Sequence, residues 1–343
     1  MRIGLIGAGN ISRTHARAVT AIAEDAGAEL AAVFAPNRAS ATRLAEMYRI
    51  PAFHDLASFL AHRPMEMVII GSPSGLHAEQ GIAAAGQGLH VLVEKPLDVT
   101  TARADQLIAA CDAAGVSCGV VFQERYQPAP IRLKSLVASG GLGRLLLVSA
   151  QVRWWRAPEY YTQSRWHGTR ALDGGGALMN QGIHTLDLLL WLLGDVSGVQ
   201  ARTARVLHQL ECEDTALALL DFASGAQGVL EVTTAAYPGY PRRIALTGTV
   251  GTVLMEGDRI VAADLYPPRP GLVMAGDEMN PERAASAQIH DSSAHQAAIR
   301  DFILAARAGT PLACDAREGR RSLELAERIY AAAAAAETGT GKD

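Results

Sequence analysis

An N-terminal α/β domain followed by an α+β domain is the architecture this sequence predicts, and three features carry that prediction. The chain opens on Arg2–Ser12, RIGLIGAGNIS, an apolar run broken by a Gly-x-Gly turn. Strand-like and helix-like patterns then alternate up to about residue 122. Beyond that point short strand-like runs follow one another through tight turns. At 343 residues the chain is too long for one typical core and fits two domains, 1–122 and 123–343.

Residues 2–6 read as a buried strand and the segment from Asn10 as a helix. A strand that feeds a helix through Gly7-Ala8-Gly9 is the arrangement of a dinucleotide-binding (Rossmann) unit. Gly7 permits the tight turn and Gly9 lets backbone approach a pyrophosphate. The helix start at Asn10 and Ile11 then offers unpaired N–H groups and a partial positive charge. Ser12 stands at the third small position, where helix and strand must pack closely. A plain βα turn would look the same locally; its place as the first strand of an α/β series favours the dinucleotide.

Further strands are expected at 28–35, 66–71, 89–93 and 116–122, with helices at 11–26, 38–48, 55–62, 75–87 and 100–114. This spacing implies βαβ units and a mostly parallel sheet covered on both faces. Ligands of such sheets lie beyond the carboxyl ends of the strands, so the residues just after each strand matter most. After the second strand, Ala35 stands where an acid would grip a ribose 2′-hydroxyl, and no acidic residue lies between Leu30 and Ala45. Asn37 and Arg38 follow, which favours NADP over NAD within an NAD(P) site; a merely solvated Arg38 and use of either cofactor is the other reading. Ser72, Pro73 and Ser74, after the third strand, suit backbone beside the nicotinamide half of the cofactor, and His77 one turn later is either a cofactor contact or structural. Glu94-Lys95-Pro96 ends the fourth strand. Proline restricts its predecessor to extended geometry, which fixes where Lys95 points and marks it as a catalytic donor.

These elements together resemble the glucose–fructose oxidoreductase/inositol dehydrogenase/MocA (Gfo/Idh/MocA) family. The resemblance rests on GLIGAGNIS, IIGSPSGLHAE, HVLVEKPL, DGGGALMNQGIHTLDLLLWLLG at 173–194, and EGRRSLELAERIYAAA near the C-terminus. It implies that Lys95 and His184 act on the hydroxyl that is oxidised. The family's usual Asp four residues before the histidine is Asn180 here, which puts a carboxylate-assisted proton relay in doubt and leaves Asn180 to orient by hydrogen bonds. Lys95 is assigned to both the catalytic and the cofactor-binding sets, and Glu94 to the latter.

In the second half, a helix is expected at Ile131–Ser139, a strand at Leu145–Trp154, and a helix from about Gly175 to Leu193 that follows a Gly-rich loop. Asn180 and His184 are four apart and share a helix face, while Leu178, Ile183, Leu186, Leu190 and Leu193 cover the core side. Strands at 199–207, 215–222, 226–236, 242–248, 251–256 and 258–264 imply an open, largely antiparallel sheet. Helices at 290–308 and 316–336 close the chain, with Glu337–Asp343 as a frayed tail. Arg125, Tyr126, Arg153, Trp155 and Trp166, with Trp154, Arg156, Tyr160, Tyr161, Arg165 and His167 near them, suit contact with a sugar ring and its acidic groups. Residues of these types equally mark interfaces.

Hydride transfer needs a group that takes the hydroxyl proton and a donor for developing alkoxide charge. Histidine and lysine supply these. The expectation is an NAD(P)-dependent dehydrogenase or reductase acting on a secondary hydroxyl or carbonyl of a sugar, cyclitol or sugar derivative, with substrate in the cleft between the domains. His184 as a core histidine, and a non-catalytic dinucleotide-binding sensor of the same fold, are the competing readings. The net charge of −4 points to neither nucleic acid nor membrane, and the four cysteines show no metal-ligand spacing, so no metal is expected. A cytoplasmic homodimer or homotetramer completes the expectation, because an open sheet with one uncovered face calls for a partner.

Overall fold

The structure, a computed structural model, describes residues 1–164, 166–274 and 291–339. Arg165, proposed above among the sugar contacts, and residues 340–343 of the expected tail lie outside the described residues. The chain divides into two compact units, Met1–Gln123 with Gln288–Leu323 and Glu124–Ala287 with Glu324–Asp343.

The first unit is built on six parallel strands: β1 (Arg2–Ile6), β2 (Glu29–Phe34), β3 (Ala52–Phe53), β4 (Met67–Ile70), β5 (His90–Glu94) and β6 (Cys118–Val121). Their order is β3-β2-β1-β4-β5-β6, so the direction of winding reverses between β1 and β4. Strand β3, only two residues long, is too short to leave a pattern in the sequence. The helices are α1 (Asn10–Ala21), α2 (Ala23–Ala26), α3 (Arg38–Tyr48), α4 (Leu56–Leu60), α5 (His77–Ala85) and α6 (Thr101–Ala114). The single helix expected over 11–26 is thus two, broken at Ile22 and ended by left-handed Gly27.

A further helix, α10 (Ser293–Ala308), belongs to this unit. The sequence pattern placed its residues in the second domain. They group with the first because Ile299, Phe302 and Ile303 lie in the same buried cluster as Ile3, Leu5 and Val33. Burial of such side chains stabilises by roughly 1.5–3 kcal/mol each, and Gly119 leaves the room for it: a Cβ there would lie 2.9 Å from the Phe302 ring.

The second unit carries α7 (Pro128–Ala138), β7 (Leu145–Arg153), α8 (Pro158–Thr162), a π-helical turn (Leu178–Gly182), α9 (Ile183–Leu193) and β8 (Val196–Ala204). It continues with β9 (Thr215–Phe222), β10 (Gln227–Thr233), β11 (Arg243–Gly248), β12 (Gly251–Glu256) and β13 (Arg259–Leu265). A last helix, α11 (Ala316–Gly339), begins among residues of the first unit and ends among those of the second, past the expected end at 336. Pro128 occupies the first turn of α7, which starts that helix three residues before the expected Ile131. The seven strands run β13-β12-β11-β7-β10-β9-β8. Every neighbouring pair is antiparallel except β7–β10.

Alternation separates the two faces of this sheet. Ala216, Ala218, Leu220, Leu230 and Val232 are buried, whereas Leu147, Leu217, Leu219 and Val229 on the opposite face are 44–57% exposed. The Leu178–Gly182 turn packs on the buried face: a Cβ on Gly182 would stand 3.0 Å from Val232. Among the described residues no helix is long and apolar enough to cross a membrane.

Candidate active site

The turn after β1 is shaped by two glycines with different tasks. Gly7 has φ +108, and a Cβ there would stand 2.7 Å from the Gly71 carbonyl oxygen. Only glycine fits. Gly9 has ordinary extended geometry (φ −82), and a Cβ on it would meet nothing within 4 Å. That open space, with no side chain capping the first turn of α1 at Asn10 and Ile11, is a cradle of the kind a pyrophosphate fills. Ser12 is buried, and a Cβ on Gly71 would come within 3.1 Å of its hydroxyl, so the small side chain serves close packing. The residues present therefore fit a dinucleotide at this turn.

At the end of β2, Ala35 is buried and donates its N–H to the Phe53 carbonyl. The Asn37 side chain caps α3 by accepting from Ser40 N at 3.0 Å. Its oxygen is therefore engaged in the fold, whereas Arg38 is exposed. After β4, the Ser72 hydroxyl donates to Gln80 (2.6 Å), and Pro73 leads into a 3-10 turn that starts at buried Ser74. His77 is 1% exposed and bridges two loops: Nδ1 lies 2.9 Å from the Pro96 carbonyl and Nε2 2.9 Å from that of Ser72. Burial holds its pKa below the ordinary histidine value, against the pull of the two carbonyls. His77 thus acts as a structural clamp, one of the two readings left open above.

Lys95 is half-buried at the carboxyl end of β5, and its loop is fixed from three sides. His77 holds Pro96, and buried Asp98 accepts from Ala78 N, Val99 N and Arg103 Nε at 2.6–2.8 Å. The Lys95 N–H donates to Glu94 Oε2 at 3.1 Å. The Glu94 side chain itself is turned inward, with Oε1 lying 2.8 Å from His15 Nε2. The Glu94 carboxylate is thus used inside the domain, which leaves the Glu94 backbone as the part of this residue available to the expected cofactor contact.

In the second unit the glycine run is a packing device. A Cβ on Gly175 would lie 2.2 Å from the Tyr330 hydroxyl, and one on Gly176 would lie 1.6 Å from the Glu213 carbonyl. Glu213 then serves as a remote cap for the following turn, accepting from Gly176 N (3.1 Å), Leu178 N (2.9 Å) and Tyr330 (3.0 Å). Burial raises its pKa above the ordinary glutamate value, against those donors. The turn carries Asn180, and α9 carries buried His184 one turn on. Asn180 Nδ2 donates to Asp173 Oδ1 and its Oδ1 accepts from Gln181, both at 2.6 Å. Asp173 also accepts from Gly168 N at 2.8 Å and is 1% exposed. The carboxylate missing at position 180 is thus present one hydrogen bond away. Neither Asp173 nor Glu213 was singled out from the sequence. An acid just before Gly174-Gly175-Gly176 was the available signal for the first, and Glu213 gave none.

Two of the arginines assigned to substrate do other work. Arg125 is buried and grips Asp187 of α9 through two bonds, Nε at 2.8 Å and Nη2 at 2.6 Å. It also lies over the Trp191 ring at 5.7 Å. Arg153 pairs with Glu231 on the exposed face of the sheet, opposite the face that receives the Leu178–Gly182 turn. Charge and residue type drew both assignments; partners far along the chain decide otherwise. Tyr126 is half-buried in the 3-10 turn before α7.

The aromatic residues do gather. Tyr160 stacks on His167 at 4.2 Å, Trp166 lies 4.0 Å from the same ring, and Arg156 lies over Trp154 and Tyr160. Trp155 and Tyr161 both approach His208, at 6.1 and 4.8 Å. Arg156 Nη2 reaches Gln181 at 3.4 Å, which ties this cluster to the Asn180 network. Burial pushes the Tyr161 hydroxyl up to about 12.

Comparison with known proteins agrees with this arrangement. Residues 1–122 match the model of an oxidoreductase family with an NAD-binding Rossmann fold, and residues 131–254 match the GFO/IDH/MocA C-terminal domain. The chain is 28% identical to the rhizopine catabolism protein MocA of Rhizobium meliloti over 330 residues, covering 95% of this chain and 93% of that protein. It is 26% identical to inositol 2-dehydrogenase of Rhizobium meliloti (strain 1021), covering 95% of each. The WlbA dehydrogenase of Bordetella pertussis, solved with NADH and UDP-GlcNAcA, superposes with a TM-score of 0.88 at 33% identity, over 98% of this chain and 97% of that one. With a glycine cradle at β1, Lys95 closing β5 and His184 on α9, matched along nearly its whole length, this chain belongs to the Gfo/Idh/MocA family of NAD-binding oxidoreductases.

Proposed function

We propose that the protein is a dehydrogenase that moves a hydride between a nicotinamide dinucleotide and a secondary hydroxyl of a sugar, cyclitol or sugar derivative. When bound, the nicotinamide supplies the hydride chemistry. Lys95 donates a hydrogen bond to the substrate oxygen and stabilises negative charge as it develops there. His184 takes the hydroxyl proton, or returns it in the reductive direction. Asn180, held between Asp173 and Gln181, orients this machinery without titrating. The observation that carries the reading is the rigid placement of Lys95 at the end of a central strand, in a loop pinned by His77 and Asp98.

Gly7, Gly9, Asn10, Ile11 and Ser72–Ser74 form the dinucleotide side of the site. The relatives solved with NADH do not support a preference for NADP. That finer expectation rests on Arg38 and on Ala35 in place of an acid. It is tested by Arg38→Ala, which weakens NADPH far more than NADH if correct and both equally if not. With Arg125 and Arg153 internally paired, recognition of the sugar falls to Tyr126, Trp155, Trp166 and the neighbouring aromatic rings. The exposed face around Leu147, Leu219 and Val229 is proposed to join copies of the chain into a dimer or tetramer; a monomer in sedimentation would exclude this. Activity is tested by absorbance at 340 nm against inositols, free sugars and nucleotide-linked uronic acids. Asn180 in place of the family's Asp favours one other reading, a sensor that binds cofactor without turnover. Cofactor binding with no turnover on any of these substrates would point to it.

A further inference from the structure

Three titratable residues of the first unit, His15, Glu94 and His295, form a buried cluster that the reaction does not use directly. His15, on α1, is fully buried, and its Nε2 lies 2.8 Å from Glu94 Oε1, off the ideal hydrogen-bond angle. His295, on α10, is 3% exposed and meets the His15 ring edge-on, centroids 5.8 Å apart. Its Nδ1 has no hydrogen-bond partner among the described residues. The second Glu94 oxygen receives the Lys95 N–H. The Glu94 carboxylate at the end of β5 is thus met directly by α1, and α10 packs behind it against the His15 ring.

The charge states follow from the surroundings. Burial works to raise the Glu94 pKa, but contact with His15 and the charges of His15, His295 and Lys95 outweigh it, and the group stays below its ordinary value. Burial pushes His295 down to about 4, against the charge of Glu94; His15, Asp291 and Arg17 are the other groups that act on it. At neutral pH the cluster therefore holds a carboxylate and a neutral His295. Water has little access to screen it.

We propose that Glu94, held against His15, is a positioning residue: its carboxylate anchors the Lys95 backbone N–H and places a buried negative charge in the loop that carries the Lys95 ammonium. This rests on Lys95 being the donor of the reaction, as proposed above. In a site of low polarity a charge so placed favours the protonated amine without contact with substrate. His15 keeps the carboxylate ionised, and His295 packs against the His15 ring.

The chain has only three lysines, Lys95, Lys134 and Lys342, which makes a direct test simple. Reductive methylation with a 13C label gives one NMR signal for each, and Lys95→Arg identifies the relevant one. The measurement is the pH midpoint of that signal in the full-length protein, with no substrate required. Glu94→Gln is expected to lower it by about one pH unit, a tenfold loss of proton affinity. His15→Leu is expected to lower it as well, because a buried carboxylate that loses its close imidazole neighbour takes up a proton more readily. A midpoint within about 0.3 unit of the parent in Glu94→Gln overturns the proposal. Should that variant not fold, the same result in His15→Leu does so. Unchanged turnover in Lys95→Ala would sink the donor reading and leave this titration standing, so the two failures are separable.

Discussion

The two glycines of the first turn make opposite claims, and one pair of substitutions separates them. At Gly7 a methyl group would press to 2.7 Å from backbone of Gly71 and also impose φ +108 on alanine. The conformational strain alone costs about 1–3 kcal/mol, and a clash with backbone that cannot swing aside adds about 1–3 kcal/mol more. Gly7→Ala should therefore lose about 2–6 kcal/mol of stability, the sum of those two ranges. At Gly9 the same methyl meets no protein atom within 4 Å and the backbone is ordinary. Gly9→Ala should leave stability within about 0.5 kcal/mol. If a pyrophosphate occupies that space, the methyl overpacks it by about 1–3 kcal/mol, a loss of roughly 5- to 150-fold in affinity. Denaturant melts give the stabilities and quenching of protein fluorescence by NADH gives the affinity. A Gly9→Ala protein that binds NADH as well as the parent would refute the placement of the cofactor at this turn.

Other perturbations address the second unit. Arg125→Met strips two charged hydrogen bonds from the buried Asp187 carboxylate, so it should cost about 3–5 kcal/mol in denaturant unfolding. Arg125→Met combined with Asp187→Leu should recover most of that loss, and a single variant costing under 1 kcal/mol would show that the pair is not buried in solution. Asp214 is fully buried and accepts from Val206 N, Leu207 N and His208 N at 2.7–2.9 Å. Burial works to raise its pKa, but these bonds and that from Thr215 bring it below the ordinary value. A depressed folded pKa means that its stabilisation is complete above the unfolded value of about 3.9 and is lost as pH falls through the folded one. Asp214→Asn should cost about 2–3 kcal/mol at pH 7 and flatten the acid limb of the stability curve. An acid limb identical to the parent's would contradict that assignment.

Local pattern made most of the elements legible, because Gly7, Gly9 and the apolar runs 2–6 and 66–71 are decided by near neighbours. What escaped was decided by partners far away in sequence. Arg125 and Arg153 have the chemistry of ligand contacts, yet Asp187 and Glu231 claim them from 62 and 78 residues away. The α10 segment shows an amphipathic stripe, but a stripe carries no address, and only packing against Ile3 and Leu5 assigns it to the first unit. His15 did leave a trace: with Ser12 and Val19 it falls on the buried stripe of α1, where a titratable side chain is out of place. The Glu94 turn could not be read that way, since glutamate at a strand end looks the same facing in or out.

The most direct measurement on the site is turnover by Lys95→Ala beside its affinity for cofactor. On any substrate that the parent oxidises at 340 nm, the variant is expected to lose on the order of 10²–10⁴-fold in kcat. Its Kd for NADH should stay within about threefold, equivalent to under 1 kcal/mol. Turnover at the parent's rate with Lys95 removed would contradict the assignment of Lys95 as the group that acts on the substrate oxygen.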